Sequence, residues 1–447
     1  MEIGIVADDL TGAADSVAPF ARRGYRASVG FELKHSMERF PLAEGDVLAY
    51  DTATRDFSTQ QEDTIRATIR RAARRMAALQ PRIIFKKIDS TLRGHLRIEL
   101  EAMRAEFPNR LALICPSFPA QGRAVQTGVL HIHNVPWTAT EFAPSGMFAS
   151  LTVRGAFGME TDKHTAEIGI GAVRPGAEAL EKRFEALKAQ GVQTIFCDAI
   201  LPSDLTILAA TILRAPHRYL PVGSGGLAHA IAELLPSPAD PNPHHLRTLQ
   251  SLDLMNSVET LESLVQPFVN GRVLVVVGSL HAASRRQMMV LVERLEAVPV
   301  VIAATEDLKS NSKLCVERAV DQLSEQYDSG KQVALLTTSD RRESGFSKDF
   351  GWLPGSIAWR ACLRGQRVGM PIDGLIVCGG DTAKEFCRTC NGTGLRVVHE
   401  WQPGVAITHL NCEPDVVNNF SFDGLPMITK AGGFGDDLTL ARCVGLQ

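Results

Sequence analysis

The sequence predicts an α/β protein of two domains, each a mainly parallel sheet flanked by helices. Short apolar runs alternate with helical patterns along both halves of the chain, as in parallel strands joined by crossover helices. A chain of 447 residues is too long for one ordinary core. A Pro-dense run at 236–243 indicates a break between the halves.

We therefore predict an N-terminal domain at 1–238, a connector at 239–271 that includes a helix within 251–269, and a C-terminal domain at 272–447. Predicted strands of the first domain are 3–7, 26–31, 47–51, 82–87, 111–115, 194–198 and 219–222, and its helices are 13–23, 59–79, 96–107, 176–190 and 203–213. Segment 117–174 fits this alternation poorly and predicts an excursion with short strands. The second domain has predicted strands at 273–277, 298–303, 333–338, 374–378, 395–399, 406–410 and 427–430, and helices at 282–295, 312–327 and 384–390.

The bulk composition excludes several classes of protein. Hydrophobic residues make up 45% and charged residues 22%, which is typical of globular domains. The formal net charge of −3 argues against a nucleic-acid partner, whereas a small anionic substrate needs only a few local cations. The sequence has no apolar run of about 18 residues and no signal-peptide pattern, so we expect no membrane partner and a cytoplasmic location.

Polar clusters follow the predicted strands of the first domain. They begin at Asp8, Asp51, Lys87, Pro116 and Gly223. Ligands of open parallel sheets bind outside the carboxyl ends of the strands, and all these clusters belong to that edge. The sequence therefore predicts a binding site there.

Asp8 and Asp9 are adjacent carboxylates at the end of the first strand, and they would repel each other without a nearby cation or proton. The two aspartates could serve in metal binding, in general-base catalysis or in binding hydroxyl groups. For Asp9, capping the N-terminus of the following helix is the structural alternative. Arg55 follows the third strand, where its guanidinium can hold a ligand carboxylate through two hydrogen bonds. A salt bridge to Asp56 is its structural alternative.

Residues 86–94, with the sequence KKIDSTLRG, form the densest polar cluster. Lys87 and Asp89 share one face of the strand, while Lys86 points to the other face. The hydroxyls of Ser90 and Thr91 follow at the turn. A cation for an acid group and a carboxylate for hydroxyl groups together suit a small polyhydroxy anion.

The second half instead has glycine-rich turns between strands and helices: Gly278-Ser279, the run GGDT at 379–382 and the run GGFGDD at 432–437. Backbone N–H groups in such turns bind phosphates. The P-loop pattern is absent, and so is the Gly-x-Gly-x-x-Gly pattern of a dinucleotide-dependent dehydrogenase. We predict no metal site built from protein ligands alone.

Seven motifs together resemble the four-carbon acid sugar kinase family: IVADDLTGAAD, DTATR, FKKIDSTLRG, PVGSGGLA, VVGS, CGGDTA and KAGGFG. They occur in order from Ile5 to about Asp437. The resemblance implies an N-terminal sugar-acid domain and a C-terminal ATP domain, with a ligand cleft between them. It also implies ATP-dependent phosphorylation of the 4-hydroxyl of a four-carbon sugar acid, with D-threonate or D-erythronate favoured. A 3-oxo-tetronate 4-kinase is the alternative within the family, and a non-catalytic sugar-acid sensor is the alternative of another class. The oligomeric state stays open, with a homodimer as one option.

The resemblance also implies which residues contact the ligands. The implied substrate contacts are Asp9, Arg55, Lys87, Ile88, Asp89 and Ser90. The implied ATP contacts are Ser279, Gly379, Gly380, Asp381, Thr382, Gly432, Gly433, Phe434 and Gly435. We expect Mg²⁺ to enter with the nucleotide. Asp9 and Asp89 would orient the reacting hydroxyl, and the general base remains open between Asp9 and Asp436.

Overall fold

The computed structural model describes residues 1–31, 46–140, 142–143, 152–238, 261–304, 312–342, 353–413 and 420–446. The chain divides into two compact units, Met1–Pro241 and Asn242–Gln447. Part of the predicted connector, at 239–260, lies outside the described residues. Among the helices in the described ranges, none is both long enough and apolar enough to cross a membrane.

The first unit is built on a parallel sheet. Its strands in chain order are β1 (Ile3–Ala7), β2 (Ala27–Phe31), β3 (Val47–Asp51), β4 (Ile83–Lys87), β5 (Leu111–Cys115), β6 (Arg123–Gln126), β7 (Val129–Ile132), β8 (Val135–Pro136), β9 (Thr165–Ile168), β10 (Thr194–Cys197) and β11 (Tyr219–Gly223). The sheet order is β2-β3-β1-β4-β11-β5-β10-β9, and each pairing is parallel. Strands β6 to β8 form a small antiparallel sheet, which is the excursion predicted within 117–174.

Helices connect these strands and cover the sheet. They are α1 (Leu10–Arg22), α2 (Glu62–Ala78), α3 (Leu96–Glu106), α4 (Val153–Ala156), α5 (Ile170–Val173), α6 (Ala177–Ala189), α7 (Pro202–Arg214) and α8 (Gly225–Leu234). In α2 the apolar residues Ile65, Ile69 and Met76 recur at helical spacing, and all three are buried in the core. Helix α1 begins three residues earlier than predicted because Asp9 caps its N-terminus.

The second unit also has a mainly parallel sheet. Its strands are β12 (Val273–Val277), β13 (Val300–Ala304), β14 (Val333–Arg342), β15 (Gly374–Cys378), β16 (Gly392–Gln402), β17 (Val405–Cys412) and β18 (Pro426–Lys430). Within this unit the order is β13-β14-β12-β15-β18-β17-β16. The pairings among β13, β14, β12, β15 and β18 are parallel, whereas β17 pairs antiparallel with both β18 and β16. The mainly parallel α/β fold is therefore confirmed.

The helices of the second unit are α9 (Leu261–Val269), α10 (Ala282–Leu295), α11 (Ser312–Asp328), α12 (Leu353–Arg367), α13 (Gly380–Thr389) and α14 (Thr439–Cys443). Helix α12 was not predicted, because Pro354, Gly355 and Gly365 interrupt its sequence with residues that disfavour helices. Helix α13 begins at Gly380 rather than at 384, so the glycine run itself forms the first turn of this helix.

One buried ion pair supports the first unit behind the carboxyl end of β4. Lys86 Nζ lies 2.7 Å from Glu99 Oε2 on α3, and the two side chains are 0% and 3% exposed. Lys86 also donates to the carbonyl of Lys87 at 2.8 Å, and Glu99 accepts from Thr54 Oγ1 at 2.7 Å. The pair thus ties α3 to the backbone that carries the polar cluster after β4.

Replacing Lys86 by Met should lower the free energy of unfolding of the first unit by about 3–5 kcal/mol, because Glu99 would remain buried without its cation. Urea unfolding followed by circular dichroism measures this loss. Lys182→Met, which removes an exposed ion pair with Glu178, is the matched control and should leave the midpoint unchanged. Equal effects of the two substitutions would contradict a structural role for the buried pair.

Candidate functional site

Six charged side chains meet at the carboxyl ends of β1, β3 and β4. We call them the charge cluster: Asp8, Asp9, Arg55, Lys87, Asp89 and Arg93. The three strands are neighbours in the sheet in the order β3-β1-β4, although β3 comes between β1 and β4 in the chain. Three carboxylates therefore face three cations at one edge of the sheet.

Arg55 is the centre of the charge cluster. Its Nε and Nη2 donate to the two carboxylate oxygens of Asp8 at 2.8 and 2.9 Å, and Nη2 also lies 2.8 Å from Asp9 Oδ1. The sequence predicted that Arg55 would hold a ligand carboxylate through two hydrogen bonds. In the structure Arg55 makes such a pair of hydrogen bonds with the carboxylate of Asp8. Burial alone would raise the pKa of Asp8, but the charges of Arg55, Lys86 and Lys87 lower it. Asp8 therefore stays ionised and holds the guanidinium in place.

Asp9 caps helix α1 while it contacts Arg55. Its Oδ1 accepts from the amide of Gly12 at 3.2 Å, and its Oδ2 accepts from Thr11 Oγ1 at 2.6 Å. The N-cap that the sequence offered as a structural alternative is therefore present. It does not compete with a ligand role, because the cap fixes the orientation of the carboxylate at the edge of the site.

Asp89 is held by the turn that follows β4. It accepts from the amide and hydroxyl of Thr91 and, at 2.8 and 3.0 Å, from the guanidinium of Arg93. Burial would raise the pKa of Asp89, but the charges of Arg93 and Arg55 and these hydrogen bonds bring it well below the usual value of 3.8. Asp89 is therefore a fixed anion that can accept hydrogen bonds from hydroxyl groups.

Lys87 and Ser90 differ from the other polar side chains of this edge. Both residues are buried, at 4% exposure each, yet neither Lys87 Nζ nor Ser90 Oγ has a hydrogen-bond partner in the part of the chain that the structure describes. Lys87 Nζ reaches the start of α1, where a Cβ at Gly12 would lie 2.9 Å from it. An ammonium group and a hydroxyl group are thus available to a ligand beside three fixed carboxylates.

Ile88 lies between these two residues, and its side chain is buried in the hydrophobic core. Its amide donates to the carbonyl of Gly223 at 2.9 Å, which joins the end of β4 to β11. The residue can therefore contact a ligand only through its backbone carbonyl.

Arg123 was not predicted as a site residue. It begins β6 in the excursion, is 3% exposed, and lies within electrostatic reach of Asp89, Arg93 and Asp15. Burial lowers the pKa of Arg123, and the charge of Asp89 offsets part of that effect. Its one sequence signal was its position directly after the polar run 116–122.

In the second unit the three predicted glycine turns pack against one another. A Cβ at Gly278 would overlap Thr382 Oγ1, and a Cβ at Gly432 would overlap Ser279 Oγ. Gly379 has φ +118°, a conformation that side chains rarely adopt, and a Cβ there would lie 3.2 Å from the amide of Ser279. The turns that begin α10 and α13 therefore meet the turn after β18, and only glycine allows this close approach.

Two acidic residues of these turns were predicted to have a role, Asp436 as a candidate base and Asp381 as an ATP contact. Asp436 accepts from both terminal nitrogens of Arg442 at 3.0 and 2.9 Å and from Thr439 Oγ1 at 3.1 Å. Burial would raise the pKa of Asp436, but these hydrogen bonds lower it. Asp381 lies in the first turn of α13. Within the described ranges, no group of three or more His, Cys, Asp or Glu side chains has a metal-binding arrangement.

Comparisons with known proteins match both units. Residues 3–231 match the family described as "Sugar-binding N-terminal domain", and residues 274–440 match "Nucleotide-binding C-terminal domain". The sequence is 27% identical to a D-threonate kinase of Salmonella typhimurium over 98% of this chain and 97% of that protein. It is 24% identical to a D-erythronate kinase of Heliobacterium modesticaldum over 98% of this chain and 95% of that protein.

The fold is similar to a solved structure from Salmonella typhimurium LT2. The TM-score is 0.70 at 18% identity, and the match covers 100% of both chains. At this identity the similarity establishes the fold alone. The same two-unit architecture therefore occurs in a protein of distant sequence.

Asp89→Asn should lower the free energy of unfolding at pH 7 by about 1.5–3 kcal/mol, because the charged hydrogen bonds from Arg93 are lost. The folded-state pKa of Asp89 lies below 3.8, so its stabilising contribution is present above pH 3.8 and is lost as the pH falls through the folded value. Urea unfolding of the wild type and variant between pH 7 and pH 2.5 should show the difference shrinking only at the acid end. A difference independent of pH would contradict this ionic role.

Proposed function

The chain belongs to the four-carbon acid sugar kinase family, and from this premise we propose that it transfers the γ-phosphoryl group of ATP to the 4-hydroxyl of D-threonate or D-erythronate. It is a carbohydrate kinase. The choice of acid is supported by the names of relatives that match over nearly the whole chain. A 3-oxo-tetronate remains the alternative acceptor.

The observation that best supports the sugar-acid proposal is that Lys87 Nζ of the charge cluster and Ser90 Oγ beside it have no hydrogen-bond partner among the described residues. A buried ammonium group that makes no hydrogen bond is costly, and a ligand carboxylate would accept charge-assisted hydrogen bonds from it. The fixed carboxylates of Asp9 and Asp89 would accept hydrogen bonds from the substrate hydroxyls. A four-carbon sugar acid has one carboxylate and three hydroxyls, so its chemistry matches these groups.

We assign ATP to the glycine turns of the second unit. Their backbone amides suit phosphate oxygens, and α10 and α13 add the positive ends of their helix dipoles. Mg²⁺ bound in kinase sites takes one or two carboxylates together with phosphate oxygens and water. Asp381, in the first turn of α13, is the carboxylate that we propose for a nucleotide-bound Mg²⁺.

Phosphoryl transfer depends mainly on positioning and charge neutralisation, and a base need only accept the hydroxyl proton. Asp436 is a weak candidate for that base because Arg442 binds both of its oxygens and lowers its pKa. Asp89 is similarly held by Arg93. We therefore propose Asp9 as the base, with Asp89 orienting the hydroxyls.

The enzyme should release ADP with at least one acid from a panel of D-threonate, L-threonate, D-erythronate and 3-oxo-tetronate, in a coupled assay with Mg²⁺. Lys87→Met should raise KM for that acid by about 10- to 100-fold, since a charged hydrogen bond is lost. Lys188→Met, an exposed lysine of the same unit that donates to the carbonyl of Asn109, is the control and should leave KM unchanged.

Two outcomes of this panel would contradict the proposal. No ADP from any acid, together with no ATP binding by calorimetry, would remove the kinase assignment for this site. Tight binding of an acid without ADP release would instead favour the sugar-acid sensor.

Asp9→Asn should lower kcat by about 10²- to 10⁴-fold, because general-base assistance is lost. Asn caps a helix about as well as Asp, so this substitution removes the charge while it keeps the N-cap. Asp436→Asn is the comparison, and its kcat should stay within about threefold of the wild type. ADP assays at saturating ATP and acid compare kcat of the two variants. A larger loss of kcat in Asp436→Asn than in Asp9→Asn would assign the base to Asp436.

A further inference from the structure

We propose that Ser284 and Gln287 on α10 are positioning residues for the nucleotide. They hold the backbone carbonyls of the turn 431–436 toward the interior, so that the amides of the same peptide units face the phosphates. The inference rests on the proposed nucleotide site and adds two residues that do not touch the nucleotide themselves. They affect nucleotide binding through the backbone of the glycine turn, whose carbonyls they bind.

The two side chains bind alternate carbonyls of the turn, at positions 432, 434 and 436. Ser284 Oγ donates to the carbonyl of Gly432 at 2.6 Å. Gln287 Nε2 donates to the carbonyls of Phe434 and Asp436 at 3.0 and 2.8 Å. Ser284 and Gln287 are three residues apart on one helix face, and each is 0% exposed. The donor side chains are therefore buried, while the residues of the turn that accept from them are half-buried or exposed.

A third contact comes from the strand that leads into the turn. The buried Lys430 Nζ donates to the carbonyl of Ala431 at 3.0 Å and lies 3.4 Å from the carbonyl of Gly432. The carbonyls of Ala431, Gly432 and Phe434 thus each accept a hydrogen bond from a buried side chain. Together these donors hold the carbonyl groups of the turn against the protein.

The amides of the turn show the complementary pattern. In the described part of the chain, the amides of Gly432, Gly433 and Gly435 donate no hydrogen bond. Each of them belongs to the same peptide unit as one of the three bound carbonyls. In a planar trans peptide the C=O and N–H point in opposite directions, so binding the carbonyl inward turns the N–H outward.

The result is three amides turned away from the buried donors. Neighbouring N–H groups of a turn can form a concave site for anions, and phosphate oxygens are the ligands that suit it. If Ser284 or Gln287 lost its donor, the corresponding peptide unit could rotate and its amide would no longer be held outward. The affinity for the nucleotide should then fall while the sugar-acid site stays intact.

The test compares Ser284→Ala and Gln287→Met with the wild-type protein. Each variant should raise KM for ATP and the calorimetric Kd of ATP by about tenfold, the worth of one buried hydrogen bond. KM for the sugar acid should stay within twofold. Ser284→Thr keeps the hydroxyl and should restore the wild-type KM for ATP, which a role in packing alone would not predict.

Two matched controls lie elsewhere in the same unit. Ser324→Ala removes a hydroxyl that donates to the carbonyl of Val320 at 2.9 Å, and Gln326→Met removes an amide that donates to the carbonyl of Val298 at 3.1 Å. Both should leave KM for ATP unchanged, even where thermal denaturation shows an equal loss of stability. If Gln287→Met does not fold, Ser284→Ala removes only one oxygen atom and tests the same claim.

The outcomes separate the two proposals. Wild-type protein that binds ATP, together with an unchanged KM for ATP in Ser284→Ala, would overturn this inference alone. An equal rise of KM for ATP in the control variants would overturn it as well. Wild-type protein that neither binds ATP nor forms ADP would overturn the proposed function, and this inference with it.

Discussion

The contact between Arg55 and the carboxylates of Asp8 and Asp9 is the constraint on which the proposed sugar-acid site depends. Two adjacent aspartates end β1, and Asp89 follows the neighbouring strand β4, with its Oδ1 3.8 Å from Arg55 Nη1. Three carboxylates this close would repel one another without an intervening cation. The guanidinium of Arg55 offsets this repulsion, and the three carboxylates in turn raise the pKa of Arg55 against the effect of burial. These pairs fix the acidic side chains, whereas Lys87 Nζ and Ser90 Oγ make no hydrogen bond within the described ranges.

The two units present anion-binding groups by different physical means. The first unit uses cationic side chains set among fixed carboxylates, which suits a ligand that carries one acid group and several hydroxyls. In the second unit, buried side chains bind the carbonyls of a glycine turn, and we propose that the amides of this turn bind phosphate oxygens. A kinase needs both kinds of site, because it must distinguish a sugar acid from a nucleotide while it neutralises charge on the group that is transferred.

Much of the fold could be predicted because the local pattern and the tertiary environment agree. Strands β1, β12 and β15 coincide with the predicted residues, since each is a short apolar run buried on both faces. Helix α12 was missed because its glycines and proline disfavour helices locally, and its stability comes from the buried contacts of residues such as Ile357 and Ala358. The segment 117–174 also showed no clear period, because β6, β7 and β8 are short and pair with one another away from the main sheet, which β9 then rejoins.

The sequence by itself determined the alternation of strands and helices, the family, and the strand ends and glycine turns where polar groups collect, because these follow from local patterns and motifs. Only the tertiary structure decided which of these groups meet. Arg55 pairs with Asp8 because β3 lies beside β1, and Arg123 reaches Asp89 from the excursion. Ser284 and Gln287 face a turn about 150 residues later in the chain. Hydrogen bonds act over about 3 Å, so partners distant in sequence become visible only once the folded chain has brought them together.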